Sequence, residues 1–305
     1  MSGRDSAVRL SREVEAALAD GRPVVALEST ITSSFGLPAP HNRDCFERVD
    51  RAIRAVGAVP AVTGVLDGRM IAGVEEEEVE RILAGDWKLA ERDLPIALAR
   101  RASIGVSTVS ATVAIAHLAG IRTFATGGIG GVHRGAESSF DVSSDLGAMA
   151  RHPVIVVSAG AKAFLDLPKT VEYLETLGVP VVGYRCSEFP AFWSRSSGIS
   201  LPHRAESPAD IAAIATAAES SGWSGGILVA NPIPASAEIP SAEIAAAIDT
   251  GLAVAAREGA VGPTATPRVL AAIAEATASR SIPANLALAE SNATLAAQIA
   301  VELTR

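Results

Sequence analysis

Cysteine is scarce in this sequence, and long apolar runs are missing. Cys45 and Cys186 are the only two cysteines among 305 residues, and neither belongs to a C-x-x-C pair. Two isolated thiols exclude a disulfide framework and a cysteine-based zinc or redox motif, so we expect both to be reduced. No segment is long and uncharged enough to span a bilayer, and the first residues lack the apolar stretch of a signal peptide. The sequence therefore predicts a cytoplasmic protein with no membrane partner.

Basic residues are also few, with 26 Lys and Arg against 34 Asp and Glu and a net charge of −8. We therefore expect no nucleic-acid partner, although a few local cations would suffice to hold a compact anionic ligand. Hydrophobic residues make up 49% of the chain and charged residues 20%, as in folded globular proteins. Because no linker is evident, we predict a single domain over residues 1–305.

Several common motifs are missing as well. The glycine-rich segment 127–135 contains neither G-x-x-x-x-G-K-[ST] nor G-x-G-x-x-G, because His133 stands where the third glycine would fall. No G-x-S-x-G motif marks a serine hydrolase, and no internal repeat is present. The sequence therefore disfavours an ATP-dependent kinase, a nicotinamide-dependent enzyme, a serine hydrolase and a repeat protein.

Short runs rich in Val and Ile alternate with helical patterns, which predicts an α/β fold with a large, mostly parallel or mixed sheet covered on both faces. The predicted strands are 23–27, 59–66, 122–126, 153–159, 179–184 and 225–230. The predicted helices are 9–20, 41–56, 75–84, 93–101, 107–119, 168–177, 207–221, 240–258, 266–277 and 284–303. Pro168 and Gly178 bracket the clearest helix, which makes residues 153–184 a βαβ unit. The acidic tract 75–78 is interpreted as a solvated first helical turn.

Polar residues follow several of these strands. Glu28 follows the first, Thr126 ends the strand before the glycines, Lys162 follows strand 153–159, and the segment NPIP follows strand 225–230. Ligands of α/β sheets bind at the carboxyl ends of strands. If these strands are neighbours, one sheet edge gathers a carboxylate, a lysine, hydroxyl groups and the two aspartates that follow the glycines.

Lys162 and Glu28 each allow two interpretations. The small residues around Lys162 would partly desolvate its amine and favour the neutral form that attacks a carbonyl-like carbon; the alternative is a surface lysine. Burial of Glu28 beside an apolar strand would raise the pKa of its carboxyl and suit it to general acid or base chemistry. The alternative for Glu28 is a carboxylate that caps the following turn.

The glycine segment ends in charged residues whose roles also stay open. Asp141 and Asp145 could supply oxygen ligands to Mg²⁺ or Mn²⁺, or form a salt bridge or cap. His133 and Arg134 could reach a phosphate beside exposed backbone N–H groups, or lie on the surface as ordinary cations.

Five segments together closely resemble the pseudouridine-5′-phosphate glycosidase family, also called the indigoidine synthase A-like family. They are ALESTITSSFGLPAPHN, FATGGIGGVHRGAESSFDVSSDL, VSAGAKAFLDLPKTVEYLETLGVPVVGY, PAFWSRSSGI and ANPIP. The resemblance extends over about residues 10–300. It implies reversible cleavage of the C–C glycosidic bond of pseudouridine 5′-phosphate to uracil and ribose 5-phosphate. It also implies a three-layer α/β/α fold, a homotrimer and a divalent metal, Mn²⁺ with Mg²⁺ as a second choice.

The resemblance assigns roles to individual residues. It implies that Glu28 is the proton donor, that Lys162 is the nucleophile that forms an imine with the sugar, and that Asp141 is the metal ligand. The substrate contacts that it implies are Lys88, Val109, Thr126, His133, Ser143, Ser144, Asp145 and Asn285.

This chain departs from the family in the loop 32–41, where the family more often continues ESTIISHGMPYPQN, and at Ser138 and Ser139. Because Glu28, Lys162 and Asp141 are present, we expect the reaction to be kept, while the loop puts base recognition and rate in question. Two other hypotheses remain at this point: an N-ribosidase or sugar-phosphate lyase on the same scaffold, and a non-catalytic sugar-phosphate-binding protein.

Overall fold

The structure, a computed structural model, describes residues 7–258, 265–277 and 279–305. The strands are β1 (Val8–Leu10), β2 (Val24–Leu27), β3 (Val59–Leu66), β4 (Arg69–Ala72), β5 (Lys88–Leu89), β6 (Ile104–Ser107), β7 (Thr123–Ala125), β8 (Ile155–Ser158), β9 (Val181–Tyr184), β10 (His203–Ala205) and β11 (Ile227–Ala230). Residues 1–6, part of the amino-terminal segment 1–18 in which we predict no signal peptide, lie outside the described part.

The strands form one sheet in the order β1-β4-β3-β2-β7-β8-β11-β9-β10, with β6 paired to β3 and β5 paired to β6. All pairs are parallel except those that join β3 to β4 and to β6. The first half of β3 pairs with β2, and its second half, from Thr63 to Leu66, carries the antiparallel partners. The predicted mixed, largely parallel sheet is confirmed.

Helices cover both faces of the sheet. They are α1 (Arg12–Ala19), α2 (His41–Val56), α3 (Val79–Leu83), α4 (Leu94–Ala99), α5 (Val109–Leu118), α6 (Ala136–Ser139), α7 (Ser144–Arg151), α8 (Leu167–Thr176), α9 (Pro208–Ser220), α10 (Ser241–Arg257), α11 (Ala265–Ala276) and α12 (Ser281–Glu302). Short 3₁₀ turns span Glu76–Glu78, Glu91–Asp93 and Ala235–Ala237.

Two helices dominate the packing around the site. Helix α12 packs against β2, β7 and β8, with α2 and α9 beside it, whereas α5 packs against β2, β3 and β7 with α7 beside it. Eight of the ten residues of α5 are buried, and its composition is apolar all round, as expected of a helix enclosed by its neighbours. Burial on every side holds the first turn of α5 firmly in place.

The structure corrects the predicted helix 9–20. Residues Val8–Leu10 form a strand that pairs with β4, and the helix begins only at Arg12, where the Ser11 hydroxyl caps it by accepting from the Val14 N–H. Five strands were not predicted, namely β1, β4, β5, β6 and β10, each of only two to four residues. Segments this short carry no alternation that periodicity could detect.

The predicted βαβ unit over 153–184 is confirmed. Strand β8, helix α8 and strand β9 occur in that order, but β11 lies between the two strands and pairs with both of them. The acidic tract does form a first turn, yet Glu75 and Glu78 form ion pairs with Arg12 and Arg9. These two side chains tie the turn to β1 and α1.

Both cysteines are free thiols, as predicted. Complete burial raises the pKa of the Cys45 thiol to about 12, so this residue stays protonated and unreactive. Within the described ranges, no helix combines the length and apolar character needed to cross a membrane.

Candidate active site

Four neighbouring parallel strands deliver polar side chains to one edge of the sheet. Strands β2, β7, β8 and β11 lie side by side. Glu28, Thr126 and Asn231 follow β2, β7 and β11 directly, and Lys162 lies four residues beyond the end of β8. The prediction that these strand ends meet at a common edge is confirmed.

A cavity of about 350 Å³ opens at this edge. We call it the main cavity. Of the predicted site residues, nine line it: Glu28, Lys88, Val109, His133, Asp141, Ser143, Ser144, Asp145 and Lys162. A smaller, more apolar chamber adjoins it and shares Glu28, Lys88 and Lys162 as walls. Asn285 lines this apolar chamber, and Thr126 lines a narrow pocket that also reaches Glu28.

Glu28 is a buried carboxyl at the junction of these spaces, with 7% of its surface exposed. Desolvation raises the pKa of Glu28, and this effect outweighs the opposing influence of the Lys162 charge and of a hydrogen bond donated by the Thr126 hydroxyl to Oε1. A carboxyl with a raised pKa holds its proton to higher pH than an exposed carboxyl does and can donate it. The expected environment for acid–base chemistry is therefore present.

Lys162 is placed by backbone bonds between the end of β8 and the glycine segment. The Lys162 N–H donates to the Ile129 carbonyl at 3.1 Å, and the Ile129 N–H donates to the Gly160 carbonyl at 3.0 Å. The side chain is half-buried and forms no ion pair or hydrogen bond with any other described residue. Its amine is therefore free to meet a ligand, and its charge lies close enough to influence the pKa of Glu28, Lys88 and His133.

Lys88 begins β5 and faces the same cavity. Desolvation, together with the nearby positive charge of Lys162, lowers the pKa of Lys88 to about 8, against the opposing effect of Asp145 and Glu28. The first residues of two helices, Val109 of α5 and Ser144 of α7, line the cavity beside it. Because helix N-termini carry partial positive charge, this end of the cavity suits an anion.

Asp145 lies in the cavity wall, but its carboxylate is already engaged. Oδ1 accepts from the Ser110 N–H at 2.9 Å and Oδ2 accepts from the Gly130 N–H at 2.8 Å. Asp145 therefore fastens the start of α5 to the glycine segment. Its main structural task is to hold two walls of the cavity together.

His133 and Asp141 face each other across a short antiparallel bridge. The His133 N–H donates to the Asp141 carbonyl at 3.0 Å, and the His133 Nδ1 lies 3.8 Å from Asp141 Oδ2. Desolvation lowers the pKa of His133, helped by the charges of Lys162 and Lys88 and opposed by Asp141. The imidazole is therefore neutral near pH 7 and can donate or accept a hydrogen bond.

Asp141 can hold a divalent ion only together with other ligands. Across residues 7–258, 265–277 and 279–305, no cluster of three or more His, Cys, Asp or Glu side chains is placed to bind a metal. Mg²⁺ and Mn²⁺ are nevertheless bound through one or two carboxylates plus waters and substrate oxygens. The half-exposed Asp141 carboxylate at the cavity wall fits such a hydrated site.

The glycine segment is bare because other side chains occupy the space beside it. A Cβ at Gly128 would lie 2.6 Å from the Phe192 ring, and one at Gly130 would lie 2.2 Å from the Ser143 hydroxyl and 2.8 Å from Asp145. These distances are too short for any side chain. The glycines therefore let Phe192, Ser143 and Asp145 pack onto the segment.

Sequence reasoning missed several residues around the site. Phe192 and Trp193 belong to PAFWSRSSGI, which was noted only as a family segment, yet Phe192 forms a wall of the apolar chamber. Asn292, also missed, is fully buried and donates from Nδ2 to the Thr126 carbonyl at 2.8 Å. Asn231 donates to the Asn292 Oδ1 at 2.9 Å, and its position directly after β11 was the available signal.

The fold and the site define an α/β protein with a free lysine and a buried carboxyl at the carboxyl ends of a largely parallel sheet. Residues 13–302 match the family described as indigoidine synthase A like protein. The chain therefore belongs to this family.

Individual relatives are similar over nearly their whole length. The chain is 52% identical over 299 residues to a pseudouridine-5′-phosphate glycosidase of Methylobacterium nodulans, covering 95% of this chain and 86% of the relative. It is 50% identical over 300 residues to the protein of the same name from Paracoccus denitrificans, covering 97% and 98%.

Two solved structures share the fold. The prealnumycin C-glycosynthase AlnA, solved in complex with ribulose 5-phosphate, superposes with a TM-score of 0.90 at 36% identity, covering 99% of this chain and 98% of AlnA. An indigoidine synthase A-like protein from Thermotoga maritima gives a TM-score of 0.88 at 36% identity, covering 100% of both chains.

Proposed function

We propose that this protein is a pseudouridine-5′-phosphate glycosidase, an enzyme that cleaves a C–C glycosidic bond to give uracil and ribose 5-phosphate. The observation that carries this proposal is the placement of Lys162 and Glu28 in the wall shared by a cavity suited to an anion and an apolar chamber. Relatives of that name at about 50% identity and the ribulose 5-phosphate complex of AlnA support the same chemistry.

The bond to be broken explains why a lysine is needed. Ordinary glycosidases protonate a leaving oxygen, but the uracil of pseudouridine is attached through carbon and offers no such oxygen. A covalent bond between a lysine and the sugar lets the bond to uracil break without a leaving oxygen. Lys162 adds to the ribose C1′ while the bond from C1′ to the ring oxygen breaks, and Glu28 gives its proton to that oxygen.

The second half of the reaction releases the base. The lone pair of the Lys162 nitrogen forms a C=N bond as the bond between C1′ and uracil breaks, and the electron pair left on the uracil carbon takes up a proton. The proton that the nitrogen sheds balances this uptake. Water then adds to the imine, so ribose 5-phosphate leaves and the amine is restored.

The anion end of the main cavity suits the substrate phosphate. Lys88 supplies a positive charge there while it is protonated, and Ser143 and Ser144 supply hydroxyl groups beside the N-terminus of α7. His133 and Val109 also line this cavity. The sugar then lies across the wall that Lys162 and Glu28 share, with the base toward the apolar chamber and Asn285.

Asp141 is the residue that would hold Mn²⁺, or Mg²⁺, together with water and substrate oxygens. When bound, the ion would supply positive charge next to substrate oxygen atoms. The neutral His133 beside Asp141 would orient that carboxylate. The family resemblance implies a homotrimer, which light scattering coupled to gel filtration tests, and the sequence itself predicts a cytoplasmic location.

The decisive test is release of uracil from pseudouridine 5′-phosphate by the purified protein, with Mn²⁺ and with chelator. Uridine 5′-phosphate is assayed in parallel, since its cleavage in place of pseudouridine 5′-phosphate would indicate an N-ribosidase. Binding of ribose 5-phosphate without turnover of either nucleotide would indicate a non-catalytic binding protein. Uracil release that disappears in Lys162→Ala is the expected result.

A further inference from the structure

Asn285 is a polar side chain of the apolar chamber whose orientation is set by a neighbour. Asn285, on the first turns of α12, lines the chamber together with Phe35, Leu37 and Phe192. Its Oδ1 accepts a hydrogen bond from the Trp193 indole nitrogen at 2.8 Å. Its Nδ2 has no hydrogen-bond partner in the part of the chain that the structure describes.

The Trp193 indole decides which end of the amide is free. An indole N–H can only donate, so the atom that faces it must be the amide oxygen. A free asparagine can turn its amide by half a rotation and offer either an oxygen or an NH₂ group. With its oxygen held by Trp193, Asn285 has its NH₂ group as the end of the amide without a partner among the described residues.

Trp193 itself has little freedom to move. It is fully buried, and its carbonyl accepts from the Ile239 N–H at 2.9 Å. The preceding Phe192 N–H donates to the Ala159 carbonyl at 3.0 Å, and the two rings meet edge to face with centroids 4.9 Å apart. Phe192 has a φ of 61°, a left-handed conformation that bulky residues rarely adopt and that clusters at functional sites. The backbone at these two residues therefore holds both the Phe192 ring, which lines the chamber, and the Trp193 indole N–H in place.

We propose that Trp193 is a positioning residue for base recognition: it holds the Asn285 amide so that Nδ2 faces the apolar chamber and selects a planar base that presents a carbonyl oxygen there. This inference rests on the proposed function, since it assumes that the chamber receives the base. A site with a fixed donor rejects a ligand that offers another donor, because two N–H groups then face each other. Uracil carries two carbonyl oxygens and meets this requirement.

The test measures the reaction in the direction of synthesis, from uracil and ribose 5-phosphate. Trp193→Phe keeps an aromatic ring and removes the N–H. We expect it to raise the KM for uracil about tenfold, the value of one hydrogen bond, while the KM for ribose 5-phosphate changes less than about twofold. The matched control is Trp223→Phe, because Trp223 is half-exposed and lines a separate cavity at the amino ends of the strands.

Two base analogues sharpen the test. Cytosine and isocytosine each replace one uracil carbonyl by an amino group, and each is used to inhibit uracil incorporation. The wild-type protein should bind one of them at least about tenfold more weakly than uracil, and Trp193→Phe should reduce that ratio. An equal rise of both KM values, or an unchanged KM for uracil in a folded Trp193→Phe protein, would overturn the proposal.

A spectroscopic measurement separates this inference from the proposed function. The NMR signal of the Trp193 indole proton should move on Asn285→Leu, which removes the acceptor, and stay near its place on Asn285→Asp, which keeps an oxygen. Asn285→Asp should nevertheless lose uracil binding. A wild-type protein that neither makes nor cleaves pseudouridine 5′-phosphate would contradict the proposed function. An indole proton signal that does not move in Asn285→Leu would overturn the role of Trp193, whatever the activity.

Discussion

The Thr126 hydroxyl donates a hydrogen bond to the Oε1 of Glu28. Thr126 is itself held from behind, because its carbonyl accepts from the buried Asn292. The acid of the proposed reaction, which follows β2, is thus oriented by a residue from the end of β7 and by one from α12. The same hydrogen bond stabilises the ionised carboxylate and so counteracts part of the rise that burial causes in the pKa of Glu28.

Replacing Thr126 by Val should therefore raise the pKa of Glu28 further. In the proposed mechanism Glu28 acts in its protonated form, so kcat falls as pH rises through this pKa, and the falling limb of the kcat profile should move to higher pH. The profile of kcat is the appropriate readout because it reports the substrate complex. Thr126→Ser keeps the hydroxyl and should leave the limb in place; a limb that moves to lower pH in Thr126→Val would contradict the assignment.

Lys162→Ala should lower the rate of uracil release at least about a thousandfold, because the amine that bonds to the sugar carbon is then missing from the covalent step. Lys162→Arg should be equally inactive, since a guanidinium stays protonated. Borohydride added with ribose 5-phosphate should reduce the imine and leave a covalent adduct on a peptide that contains Lys162, detected by mass spectrometry. An adduct on Lys88 instead would reassign the nucleophile.

The charge of Lys88 should govern substrate binding at alkaline pH. Because desolvation and Lys162 lower its pKa to about 8, Lys88 loses its charge as pH rises through that value, and kcat/KM should fall there. Lys88→Arg keeps a cation at all these pH values and should remove this limb. Lys88→Met should raise the KM by about 10-fold to 100-fold at neutral pH. Persistence of the limb near pH 8 in Lys88→Arg would show that another group causes it.

Chelation tests the role assigned to Asp141. Removal of divalent ions should abolish uracil release by the wild-type protein, and Mn²⁺ should restore it. Asp141→Asn should need at least about tenfold more Mn²⁺ for half-maximal activity, because a neutral amide is a weaker ligand for a hard cation. Full activity after exhaustive chelation, with metal removal checked by elemental analysis, would refute the metal requirement.

The parts of the site that follow strand ends could be predicted from the sequence. Glu28, Thr126 and Lys162 each come directly after, or within a few residues of, an apolar strand, and parallel strands bring such positions to one edge. The order of the strands in the sheet was harder to predict from the sequence. Nothing local to residues 153–184 indicates that β11, more than 40 residues later, inserts between β8 and β9.

Contacts between distant residues could not be predicted at all. The Trp193 indole meets an asparagine 92 positions away, and Asn292 meets a carbonyl 166 positions away. Such pairs depend on how helices pack on the sheet, which a local pattern does not encode. Asp145 shows the same limit: its type and spacing suggest a ligand, while its surroundings make it an acceptor for two backbone N–H groups.

Asp145 and Asp141 should therefore respond differently to mutation, although only four positions separate them. Asp145→Ala leaves the Ser110 and Gly130 N–H groups buried without an acceptor and should lower the free energy of unfolding by about 2 kcal/mol or more. Asp141→Ala, at a half-exposed position, should change it by less than about 0.5 kcal/mol while activity is lost. Urea unfolding followed by circular dichroism measures both. Equal stability of the two variants would mean that the Asp145 carboxylate is free to contact substrate, as the family resemblance implies, and that the start of α5 is held by its burial alone.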